Sequence, residues 1–197
     1  MNGNTRYDEK TALIVVDMQN DFADSDGSLS VKGGEQIVEV VNKEIQAALE
    51  GGAEIFYTQD WHPAHTPHFA QDGGIWPVHC VRDTWGAELH PLLEVKGQVV
   101  KKGVHGEDGY SGFSVLNTKT GKKSHTELDK ALREAEIEKL VVCGLATDYC
   151  VKATAIDGAE LGYATRVLKD AIRAVNLKAG DGAAALAEMR AAGVKIV

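Results

Sequence analysis

Short apolar runs alternate with longer stretches of helical period along this chain. ALIVV (12–16) is a continuous apolar run, and from Gly34 the residues Ile37, Val40, Val41, Ile45, Ala48 and Leu49 recur at three- and four-residue steps until Gly51 and Gly52. That is the pattern of a buried strand followed by an amphipathic helix with a glycine stop. AEIFYT (53–58), QVVKK (98–102), LVVCG (140–144), ATRVL (164–168) and VKIV (194–197) read as five more strands. Helical period lies between them at Thr126 to Glu134, Tyr149 to Leu161 and Ala179 to Ala192. Strands apolar on both faces and separated by helices call for right-handed crossovers. The predicted fold is therefore α/β: a three-layer, Rossmann-like arrangement in which a six-stranded, mainly parallel sheet is flanked by helices.

The break in this regularity is residues 59–97, which hold most of the histidines and prolines of the chain. A long irregular segment inside a compact α/β unit is usually functional. No repeat or linker divides the rest, so residues 1–197 are expected to form one domain.

Composition narrows the classes of function. With 29 acidic against 21 basic side chains the net charge is −8, and the lysines are scattered rather than gathered into a stripe. This argues against nucleic acid as a partner. The first ten residues, MNGNTRYDEK, carry no apolar segment of the signal-peptide kind, and no run reaches the roughly 18 apolar residues that span a bilayer. A cytoplasmic protein without a membrane partner is expected. The three cysteines, Cys80, Cys143 and Cys150, form no C-x-x-C pair and no disulfide framework.

In open α/β sheets ligands lie beyond the carboxyl ends of the strands. Asp17 follows the first strand there, Asp60 stands past the second, Lys101 and Lys102 end the third, and Cys150 follows the fourth after a short turn. Each has an ordinary reading: a turn cap, a solvated strand end, a small buried hydrophobe. Their independent arrival at one edge favours chemistry. Cys150 is predicted in the first turn of a helix, where free N–H groups and the helix dipole would lower a thiol pKa of about 8.5. With no histidine at a strand end, Asp17 is the expected proton shuttle. Asp60 and His62, with His79 further along, form a second group whose donor types suit zinc, iron(II) or manganese, although histidines in a surface loop are often only solvated.

DMQNDF (17–22), DWH (60–62), WPVHC (76–80), KKG (101–103), GYSGF (109–113) and GLATDYC (144–150) occur in order along nearly the whole chain. Together they resemble the isochorismatase-like cysteine hydrolases, and D-x-H followed by WP-x-HC resembles the metal-binding nicotinamidase (pyrazinamidase) branch. The resemblance implies a catalytic triad of Cys150 as nucleophile, Asp17 as general base and acid, and Lys102, the lysine that directly precedes a glycine. It implies an oxyanion hole from the N–H groups of Ala146 and Cys150, with a cis peptide between Leu145 and Ala146. Asp60, His62 and His79 would bind one divalent metal ion, zinc before iron(II) or manganese, and Phe22, Trp76 and Tyr110 would line a pocket for a flat ring. Some members of the family have a further ligand, for which His68 and His65 are both open, and Tyr149 stands where some relatives carry histidine.

The activity so implied is hydrolysis of nicotinamide to nicotinate and ammonia, and of pyrazinamide likewise, through a cysteine thioester in NAD salvage. The partner is then a small-molecule amide, with a homo-oligomer left open. The alternatives are a related hydrolase acting on a ureido, carbamoyl or maleamic acid amide, a phosphoryl-accepting domain using Asp17 or Asp60, and a catalytically inert binding module. Gln19 occupies the place where a D-x-D phosphatase motif needs its second carboxylate, which weakens the phosphoryl reading.

Overall fold

The computed structural model describes residues 7–197; the first six residues of the segment read above for a signal peptide lie outside the described residues. Strands β1 (Thr11–Val16), β2 (Glu54–Asp60) and β3 (Gln98–Lys102) form one half of a sheet, and β6 (Lys139–Leu145), β7 (Ala164–Arg173) and β8 (Lys195–Ile196) the other. The strand order is β3-β2-β1-β6-β7-β8, with every pairing parallel. The strand order reverses between β1 and β6, and the crevice beyond this switch point is where such sheets bind ligands.

The helices are a short α1 (Asn20–Ala23), α2 (Val38–Glu50), α3 (Leu128–Glu134), α4 (Lys152–Glu160) and α5 (Asp181–Ala191). Alternation along β1 divides the core into two layers. Leu13 and Val15 pack with Val41, Ile45 and Ala48 of α2. Ala12, Ile14 and Val16 pack on the other face with Leu128 and Leu132 of α3, Val151, Ala155 of α4 and Met189 of α5. Burial on both faces is why these strands read as unbroken apolar runs.

Three features depart from the pattern. β7 continues to Arg173, past Lys169 and Asp170, and its register against β6 shifts between Val142 and Gly144. The antiparallel hairpin of β4 (Ser114–Leu116) and β5 (Lys123–His125) stands apart from the main sheet. The histidine-rich segment contains two short 3-10 turns, Ala70–Asp72 and Trp85–Ala87, and is tied down by buried amides. Gln19 Nε2 donates to the carbonyls of Asp60 (2.8 Å) and Ala87 (2.9 Å), and Asn20 Nδ2 to that of Trp85 (2.8 Å). No helix among the described residues is long and apolar enough to cross a membrane.

Candidate active site

Strand register brings the triad together. β1 and β2 align Val16 with Thr58, β2 and β3 align Asp60 with Lys102, and β1 and β6 align Val16 with Gly144. Asp17, Asp60 and Lys102 therefore stand in one row at the carboxyl edge, with the Cys150 turn just beyond Gly144. Gly144 has φ +109, and an added Cβ would run into the Val16 backbone, so only glycine allows β6 to approach β1 this closely before the turn.

Asp17 is itself left-handed (φ 46), and its N–H is held by the Thr58 carbonyl at 3.2 Å. Thr58 Oγ1 donates to Asp17 Oδ1 at 2.6 Å, while Asp17 Oδ2 faces Lys102 Nζ at 2.9 Å. Lys102 also pairs with Asp60 Oδ1 and lies 3.7 Å from Cys150 Sγ. All four side chains are buried. Lys101, one residue earlier, is exposed and stacks its ammonium 3.4 Å from the centroid of the Trp61 ring.

This buried cluster sets one ammonium against two carboxyls and a thiol. Burial alone would lower the Lys102 pKa, but Asp17 and Asp60 raise it well above the usual lysine value. Burial raises Asp17, and the attraction of Lys102 offsets that only in part. At Asp60 the balance is reversed: burial pushes upward, yet Lys102 and His62 hold the carboxyl well below the usual range. Burial drives the Cys150 thiol well above its ordinary value despite Lys102, and Asp17 and Asp60 add to the rise. This corrects the expectation of a lowered thiol pKa. Cys150 lies in a wide π-turn, Thr147–Val151, whose Val151 N–H reaches back to the Ala146 carbonyl at 3.1 Å, rather than in the first turn of a regular α-helix. The Leu145–Ala146 peptide before this turn is cis.

A second cluster adjoins the first. Nitrogens of His62, His68 and His79 lie within 4.8 Å of one another, and all three residues are buried. His68 Nδ1 is 2.7 Å from Asp108 Oδ1 and His79 Nδ1 is 2.7 Å from the Pro77 carbonyl, contacts that orient each ring and leave Nε2 as the free donor atom. Burial lowers the His79 pKa to about 4, so the ring is neutral, the form that binds metals. Both ring nitrogens of His62 are buried without a hydrogen-bond partner among the described residues. Orphaned nitrogens are costly in a protein interior, and coordination would satisfy one of them. The donor set therefore fits a metal ion.

The structure adds His68 to the predicted His62 and His79. Asp60 is 3.8 Å from His62 Nε2 and engaged by Lys102, so it bridges the histidines and the triad. His65 is outside the cluster, exposed and paired with Asp72 at 3.2 Å.

Both clusters open on one cavity. Cys150, Asp60, His68 and His79 line it together with the predicted aromatics Phe22, Trp76 and Tyr110. Trp76 Nε1 donates to the Tyr110 hydroxyl at 3.0 Å, and Tyr149 packs edge-on against both rings. Sequence reasoning missed Leu29, Val31 and Val175, which also line the cavity. It also missed Thr58 and Asp108, which hold Asp17 and His68. Nothing local marks these residues; they become visible only through strand register and loop packing. Among the described residues lining the cavity there is no lysine or arginine.

Residues 11–197 match the family described as Isochorismatase domain. The nicotinamidase of Escherichia coli (strain K12) is 41% identical over 203 residues, covering 94% of this chain and 93% of that protein. Among solved structures, the pyrazinamidase of Pyrococcus horikoshii in complex with zinc superimposes with a TM-score of 0.84 at 40% identity, over 95% of this chain and 98% of that one. PnC1 from L. infantum in complex with nicotinate gives a TM-score of 0.85 at 35% identity, over 96% and 92% of the two chains.

Proposed function

The chain belongs to the isochorismatase domain family, and on that premise we propose that it is a nicotinamidase, an amidohydrolase that converts nicotinamide to nicotinate and ammonia in cytoplasmic NAD salvage and accepts pyrazinamide as well. The observation that carries the reading is the Cys150 thiol, 3.7 Å from Lys102 Nζ, set in a cavity lined by aromatic rings without a lysine or arginine. Ureido, carbamoyl and maleamic acid substrates that carry a carboxylate would find no cationic side chain on that lining. A neutral aromatic amide needs none, and its anionic product is not retained by one.

The chemistry follows from the triad. Cys150 Sγ attacks the amide carbonyl as Asp17 takes the thiol proton, and the Lys102 ammonium stabilises the sulfur while its charge develops. The backbone N–H groups of Ala146 and Cys150 receive the oxyanion, donors of a kind worth about 3 kcal/mol each. Asp17 passes its proton to the leaving nitrogen, ammonia departs and a thioester remains. A water molecule deprotonated by Asp17 then adds to the thioester; the C–S bond breaks, the acid is released and the thiol is restored. His62, His68 and His79, with Asp60 beside them, would hold one divalent ion, zinc in this reading with iron(II) or manganese as alternatives. Bound there, the ion supplies an anchor for a ring nitrogen.

Ammonia release from nicotinamide, pyrazinamide, maleamate and a ureido acid tests the assignment. The first two are expected to be hydrolysed, and a response confined to the last two would overturn it. His79→Ala tests the metal group: affinity for zinc, measured by competition with a chromophoric chelator, should fall by at least about a hundredfold. Unchanged affinity would mean that the histidines do not share an ion. Thr58→Val removes the 2.6 Å hydrogen bond to Asp17 while keeping the side-chain shape. A hydrogen bond to a charged group contributes about 1.5–3 kcal/mol, so kcat should fall by about ten- to a hundredfold with metal content unchanged.

A further inference from the structure

Asp148 lies two residues before the nucleophile, in the same π-turn, and its side chain takes no part in the chemistry above. It is 93% buried in the sense that only 7% of its surface remains exposed. Its two oxygens are spent on another loop: Oδ1 accepts the N–H of Val175 at 2.9 Å and Oδ2 the N–H of Asn176 at 2.8 Å. Val175 lines the cavity, with Leu29, Val31 and Leu145 as further apolar residues of the lining. The loop between β7 and α5 is thus fastened to the turn that carries Cys150 by one carboxyl group. Its other side is held as well, since Asn176 is left-handed (φ 54) and its Oδ1 accepts the Gly182 N–H at 2.9 Å at the start of α5.

We infer that Asp148 is a positioning residue that fixes the Val175 wall relative to Cys150, and so sets the cavity to the width of an unsubstituted planar heteroaromatic carboxamide. This rests on the nicotinamidase reading for its substrate class. A rigid bidentate acceptor on the nucleophile's own turn keeps the distance from sulfur to wall constant. Without it the wall can retreat: ring binding weakens and bulkier rings gain entry, while the attacking group, held by Asp17 and Lys102, keeps its reactivity.

The test uses the full-length, metal-loaded protein and three variants, Asp148→Asn, Asp148→Ala and Val175→Ala. Loss of one buried hydrogen bond corresponds to about a tenfold change, so amide exchange at Val175 and Asn176 should quicken by at least about tenfold in Asp148→Ala, and by less in Asp148→Asn, which keeps one oxygen. KM for nicotinamide should rise about tenfold with kcat within about threefold, the signature of lost ground-state and transition-state binding alike. Preference for nicotinamide over a ring-methylated nicotinamide should fall in the Asp148 variants and in Val175→Ala, while iodoacetamide alkylates Cys150 at the wild-type rate. Unchanged exchange at Val175 and Asn176 would overturn the clamp. A joint fall in kcat and alkylation rate with KM and ring preference intact would also overturn it, since Asp148 would then only brace the turn. If Asp148→Ala fails to fold, an unaltered ring preference in Val175→Ala still refutes the wall. Wild-type turnover of nicotinamide, measured in parallel, judges the functional reading separately, because amide exchange requires no substrate.

Discussion

Cys150→Ala is expected to abolish ammonia release from nicotinamide, a loss of at least about 10⁴-fold, because it removes the proposed nucleophile that forms the acyl intermediate. The substitution removes a single sulfur atom from a buried side chain, and the histidines proposed to hold the metal lie on the β2 end and its loop, so fold and metal content should persist. Circular dichroism and elemental analysis check both. Cys143→Ala is the matching control. That thiol is enclosed within β6, where burial raises its pKa far out of the working range, and its loss should cost stability without touching turnover. Turnover in Cys150→Ala within about tenfold of the wild-type rate would remove the nucleophile from the scheme.

Asp17→Asn should be nearly as damaging. It preserves the shape of the side chain but removes the proposed base for a thiol whose pKa burial raises, and it leaves Lys102 with Asp60 as its sole carboxylate partner in the cluster. General base and acid roles each contribute about 10²–10⁴-fold, and the proposed mechanism gives Asp17 both, so kcat should fall by at least about 10³-fold. No acyl-enzyme should accumulate in the variant, because the defect precedes the thioester. Rapid-quench measurement of the first turnover decides this, and a burst of ammonia equal to the enzyme concentration would contradict the role.

The sheet was legible because its central strands are buried on both faces, which leaves runs such as ALIVV and LVVCG with no polar interruption. The far half of β7 was not, since Lys169 and Asp170 interrupt the apolar pattern there while the backbone keeps its ladder with β6. The hairpin strand Lys123–His125 is exposed at every position and has no apolar alternation to detect. At the site, Asp17, Lys102 and Cys150 could be found because all three end or follow strands. Their mutual contacts could not, because the pairing of Asp60 with Lys102 depends on register between β2 and β3. The histidine group shows the same division. Spacing drew attention to His62 and His79 and left His65 and His68 equivalent; the fold separates them by burying His68 against Asp108 and exposing His65. The direction of the thiol pKa shift escapes the sequence for a related reason. A helix start is visible in sequence, whereas the carboxyls that other strands bring to it are not.

Asp17, Lys102 and the cavity have their proposed roles only through Cys150, so the decisive measurement follows that one thiol. Iodoacetamide modification should be mapped by peptide mass spectrometry while turnover is assayed on the same samples, with and without nicotinamide. Activity is expected to fall in proportion to alkylation of Cys150, Cys80 and Cys143 to stay unmodified in their buried positions, and nicotinamide to slow the reaction. Full alkylation of Cys150 with turnover intact, or inactivation that leaves Cys150 unmodified, would contradict the proposed role of Cys150.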